Sequence, residues 1–63
     1  MNVAANLKRA LAAKRMRQSE LADQLGVSRP TVHAWVHGKA KPRLKMFDRL
    51  AQVLGTSKAA LIR

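Results

Sequence analysis

The chain has 63 residues, enough for one small domain and near the lower limit for a fold without covalent or metal staples. It has no cysteine, which excludes disulfides and thiolate-bound zinc, and no apolar run near the ~20 residues of a membrane span. Thirteen Lys or Arg against three acidic residues give a formal net charge of +10. Self-repulsion on that scale opposes compaction, so the charge is expected to meet a polyanion, nucleic acid foremost, since solubility alone is better served by mixed signs. No signal peptide is read, and a reducing cytoplasm, of a bacterium or a phage-infected host, is the expected compartment.

Asn2 can cap a first helix, Val3 to Lys14, whose Val3, Leu7, Ala10, Leu11 and Lys14 stem recur at helical spacing. Lys8, Arg9 and Arg15 are assigned to its opposite side. A second helix, Gln18 to Leu25, turns Leu21, Ala22 and Leu25 inward. It carries Glu20 and Asp23 early, where the helix dipole favours negative charge, and stops at Gly26. Ser28 is a good cap for a third helix to about His37, with Pro30 in its first turn and Gly38 closing it. The loop Lys39 to Lys45 is basic at every second residue: Lys39, Lys41, Arg43 and Lys45. A fourth helix, Leu44 to Leu54, presents Phe47, Leu50, Ala51 and Leu54 inward and ends at Gly55. Ser57 caps a short fifth helix holding Ala60, Leu61 and Ile62.

Only Gly26, Val27 and Ser28 separate the second helix from the third, which is the sequence form of a helix-turn-helix. The expected architecture is all-α, a compact bundle of five short helices forming one domain over 1–63. At about 100° per residue, with Val32 inward, Trp35 and Val36 flank it on the core side. Pro30, Ala34 and His37 then point outward, with Thr31 and His33 on the shoulders and Arg29 at the helix start.

The order Gln18-x-Glu20-Leu21-Ala22, Leu25-Gly26-Val27-Ser28, Val32, Trp35 and Gly38 resembles the Cro and lambda-repressor-like helix-turn-helix family. Pro42, Leu50-Ala51, Leu54-Gly55 and the capped helix at Ser57 extend the resemblance over nearly the whole chain. It implies a five-helix fold, a homodimer on a roughly palindromic operator, and transcriptional control. With no C-terminal oligomerisation or cleavage domain read in the sequence, a Cro-like phage or prophage repressor is the expected member. Arg17 and Arg43 stand where the family usually has a small helix cap, which forfeits about 1 kcal/mol at each and suggests phosphate nearby. Leu11 and Val36 occupy positions where some relatives bury an ion pair, and exchanging both partners for apolar ones leaves no charge unpaired.

For base readout the candidates are Arg29, Pro30, Thr31, His33 and Ala34. Arg29 can fork onto guanine O6 and N7, with a phosphate contact as its competing role. Pro30 and Ala34 can touch a thymine methyl or simply permit close approach. For the DNA backbone the candidates are Arg17, Gln18, Ser28, His37, Lys39, Lys41 and Arg43; the family uses a Gln at the Gln18 position to hold the backbone. Trp35 is assigned to the core rather than to stacking on bases. The family's dimer contact lies around its fourth and fifth helices, which points to Met46, Val53, Leu61 and Ile62 and to a weak dimer, with assembly on DNA as one route.

His33 and His37 have zinc-compatible spacing but no third ligand nearby, so no metal is expected. No catalytic set is recognisable, and no enzyme activity, cofactor or small-molecule ligand is expected. Two other readings remain. One is a small antitoxin or operon autoregulator whose main partner is another protein. The other is a cationic membrane peptide, disfavoured because Gly26, Gly38, Pro42 and Gly55 break the chain into pieces that suit a globule.

Overall fold

Capping and apolar periodicity act together at each helix. In the computed structural model, which describes residues 2–63, α1 spans Val3–Lys14, α2 Gln18–Leu25, α3 Arg29–Val36, α4 Leu44–Leu54 and α5 Lys58–Ile62. Asn2 Oδ1 accepts from the Ala5 N–H at 3.1 Å, Ser28 Oγ from Thr31 N–H at 3.2 Å, and Ser57 Oγ from Ala60 N–H at 3.0 Å. Arg17 and Arg43, which carry no acceptor, start α2 and α4 without a side-chain cap. At α2 the Arg17 N–H is instead taken up by Glu20 Oε1 at 3.0 Å. The first helix ends without a glycine: Arg15 adopts the left-handed conformation at φ 53°, and the Met16 N–H donates back to the Leu11 carbonyl at 2.9 Å.

The inward stripes meet in one core. Val3, Leu7 and Leu11 of α1 join Leu21, Ala22 and Leu25 of α2, Val32, Trp35 and Val36 of α3, Phe47, Leu50 and Leu54 of α4, and Leu61 of α5. Helix α3 lies against α1 and α2, while α4 lies against α2 and α5, and α5 returns to α1. Leu11 and Val36 are both buried, so the apolar pair sits in the core with no charge to compensate. Ala10 and Ala51 are only half-buried, and Lys14 is exposed with its stem laid over Gly55.

Two polar side chains hold the helix ends together. Asn6, 8% exposed, donates from Nδ2 to the carbonyls of Leu61 (2.8 Å) and Arg63 (3.0 Å), and its Oδ1 accepts from Arg9 Nη1 at 3.2 Å. On α4, Arg49 donates to the carbonyls of Leu25 (3.0 Å) and Gln24 (3.3 Å), the last of α2. These bonds satisfy orphan C=O groups that a helix terminus otherwise presents to water. Among the described residues no helix is long and apolar enough to cross a membrane.

Candidate nucleic-acid interface

Helix α3 is held by its inner face and displayed by its outer one. Val32 is fully enclosed, and Trp35 and Val36 are buried beside it, which leaves Arg29, Pro30, His33 and His37 exposed. Pro30 and the half-buried Ala34 form the crest of the helix, opposite Val32.

On one side of that crest, α1, the start of α2 and α3 enclose a groove. Lys8, Arg17, Gln18, Ser19, Arg29, His33 and His37 form its polar walls, over Leu11, Met16 and Val36. The first-turn N–H groups of α2, which have no partner within the helix, belong to this edge. Across the crest lies a second groove, with Lys41, Arg43 and Lys45 around Val27, Thr31, Trp35 and Met46. Neither groove contains a carboxylate. Glu20 and Asp23 share a separate face of α2 with Gln24, and Asp48 pairs with Lys58 at 2.9 Å. Six of the thirteen cationic side chains line these two grooves, and a polyanion backbone there meets no acidic side chain.

The rings of His33 and His37 lie 4.1 Å apart between centroids, tilted by 36°. The neighbouring His33 chiefly, then partial desolvation, Lys8 and Lys39, hold His37 below its ordinary pKa. Among the described residues no third His, Cys, Asp or Glu joins this pair within metal-ligand reach.

The residues singled out in the sequence divide as follows. Arg17, Gln18, Arg29, His33 and His37 come together in the first groove, and Lys41 and Arg43 in the second. Ser28 and Thr31 share a hydrogen bond between hydroxyls at 2.7 Å, and Thr31 turns toward the α4 side, so its hydroxyl is engaged by the cap of its own helix. Lys39 is exposed beyond the end of α3. Leu61, expected at a dimer contact, is 1% exposed and forms part of the core, because α5 must cover the gap between α1 and α4. Met46, Val53 and Ile62 are half-buried against the same core, and Met46 lines the second groove. Conversely, Leu44 is 77% exposed although no role was assigned to it.

Lys8 borders the candidate interface, which its place in the sequence did not show. It was placed on the outer side of α1, yet it borders the first groove beside His37. Its signal was present: Ala4, Lys8, Leu11 and Arg15 follow helical spacing on one strip, and Ala4 is the neighbour that a side chain at Gly38 would meet.

A five-helix bundle that displays the second helix of a tight helix pair between two cationic grooves is a DNA-binding helix-turn-helix domain. The chain belongs to the helix-turn-helix family, of the Cro and lambda-repressor type, whose family model matches residues 7–61. It is similar to the HTH-type transcriptional regulator PrtR of Pseudomonas aeruginosa, at 41% identity over 54 residues covering 86% of this chain. Those residues are 21% of PrtR, so the chain spans about a fifth of the relative's length. No solved structure matches it.

Proposed function

We propose that this chain is the DNA-reading domain of a transcriptional regulator, of the Cro-like phage or prophage repressor kind, acting as a homodimer on a roughly palindromic operator. The observation that carries this reading is the α3 crest standing between two carboxylate-free cationic grooves. A helix in the major groove has a phosphate rail on either side, and the grooves offer one cationic seat for each.

In this arrangement Arg29, at the N-terminal end of α3, reaches a guanine edge, and the apolar Pro30 and Ala34 approach base methyl groups. His33 serves base or backbone from the shoulder. Arg17, Gln18, Lys8 and His37 hold one backbone with the first amides of α2, while Lys41 and Arg43 hold the other and Lys39 extends the cationic edge. Ser28 caps α3, its hydroxyl held by Thr31, and bears on the backbone only by fixing the start of that helix.

Size supports a dimer. The domain measures 24 × 22 × 20 Å, so one copy cannot reach two successive major grooves about 34 Å apart. The apolar surface left for self-association is thin: Leu44 and the exposed flanks of Val53 and Ile62. A weak dimer, formed mainly on DNA, is the assembly this reading expects.

Selection from a random duplex library at about 150 mM salt tests the proposal, because unspecific binding is already weak there. An inverted repeat with half-sites about one helical turn apart is the expected result. Arg29→Ala should then relax preference at one base pair, while Lys41→Ala weakens binding to every sequence alike. Recovery of no motif, with binding only at low salt, would overturn the sequence-reading role.

A further inference from the structure

Trp35 is 6% exposed, packed between α3 and the core, and its indole N–H is a donor that cannot accept. Buried indole N–H groups usually find a partner. Among the described residues this one has none, yet no enclosed side-chain polar atom lacks a partner. The N–H is therefore not fully enclosed. Trp35 lines the second groove beside Val27, Met46 and Thr31, whose hydroxyl is engaged with Ser28 and makes no bond to the indole, and the rim is Lys41, Arg43 and Lys45. None of these three cations is in an ion pair among the described residues, and α4 begins beside them with no side-chain cap.

From this juxtaposition we propose that the Trp35 indole N–H is a backbone clamp, donating to a phosphate oxygen of duplex DNA seated in the second groove. The inference rests on the DNA-binding reading. A phosphate supplies the missing acceptor and brings the negative charge that the rim lacks. Base stacking does not compete, because an indole only 6% exposed has no free face to offer a base. Trp35 thus has two roles: its rings anchor α3, and its edge fixes the register of that helix against the sugar-phosphate rail.

The chain contains one Trp, so its ¹⁵N-labelled form gives one indole N–H resonance. That resonance is followed while the protein is titrated with a selected duplex or, if selection returns none, with an arbitrary duplex of about 20 base pairs at roughly 50 mM salt. The proposal expects the indole proton to move downfield on binding and to return as salt displaces the DNA. Trp35→Phe keeps an aromatic ring and removes the donor. Checked for helicity by circular dichroism, it should bind selected and arbitrary duplexes alike about tenfold more weakly. An indole resonance that stays put while the α3 amides shift would overturn the clamp, as would a folded Trp35→Phe that binds within about twofold of the parent. If the substitution prevents folding, the titration of the unaltered chain decides. If the unaltered chain binds no duplex at all, the DNA-binding reading fails first and the clamp falls with it.

Discussion

Asn6 links the two ends of the chain, and its removal should be costly for a domain this small. Asn6→Ala deletes two bonds to the Leu61 and Arg63 carbonyls and the acceptor for Arg9. At about 1 kcal/mol net per bond the upper figure is ~3 kcal/mol. The α5 terminus lies near the surface, where water recovers part of that loss, so about 2 kcal/mol is expected. A domain of this length holds only ~3–9 kcal/mol in total. With about 2.1 cal/mol/K of unfolding entropy per residue, or roughly 130 cal/mol/K for the chain, the midpoint should fall by ~15 °C. Thermal melts followed by circular dichroism at 222 nm measure this directly. Asn6→Asp sharpens the test, since it keeps the size but turns a donor into an acceptor facing two carbonyls. That carboxyl would have a folded pKa raised above its unfolded value of about 3.9. Its stability contribution is thus present below that value and lost as pH rises through the folded pKa. The Asp variant should therefore melt lowest at pH 7 and recover toward pH 3. A midpoint shift under ~3 °C for Asn6→Ala would refute the argument that this side chain holds α5 in place.

Three further outcomes are expected. Arg15 is a non-glycine residue at positive φ, so Arg15→Gly should relieve about 1 kcal/mol and raise the midpoint by ~8 °C in the same melts. The lowered pKa of His37 means that the fold favours its neutral form; stability without DNA is full above pH 6.5 and declines as pH falls through the folded pKa, visible as a lower midpoint at pH 5 than at pH 8. A phosphate beside the ring reverses the preference, so duplex affinity at fixed salt should rise as pH falls from 8 to 6, and His37→Gln should flatten that rise in fluorescence anisotropy. Lys8→Ala should weaken binding to all duplexes and reduce the slope of log affinity against log salt by about one, whereas an unchanged slope would remove Lys8 from the interface.

All five helix spans were legible in the sequence because the signals for them are local. Asn2, Ser28 and Ser57 accept from an amide three residues on, and Gly26 and Gly55 take the left-handed turn that ends α2 and α4. The inward stripes follow from the 3.6-residue period, so Leu7, Leu21, Val32 and Leu50 were readable as core without knowing what they would touch. The crest of α3 was readable for the same reason, and with it the division between Pro30, Ala34 and the buried Val32.

Only the tertiary structure decided what depends on which helix passes which. Asn6 lies on the inward strip of α1 and reads as a surface polar residue until α5 is found to bring its last carbonyls within reach. Arg49 is one cation among thirteen until α4 places it over the end of α2. Lys8 comes to border the groove beside α3 because α1 packs on that helix, and Leu61 leaves the candidate dimer surface because α5 fills the gap beside it. The open edge of Trp35 belongs with these. Periodicity assigns a side chain to the inside of a helix, but whether its polar atom finds an acceptor or faces a groove is set by residues far away in sequence.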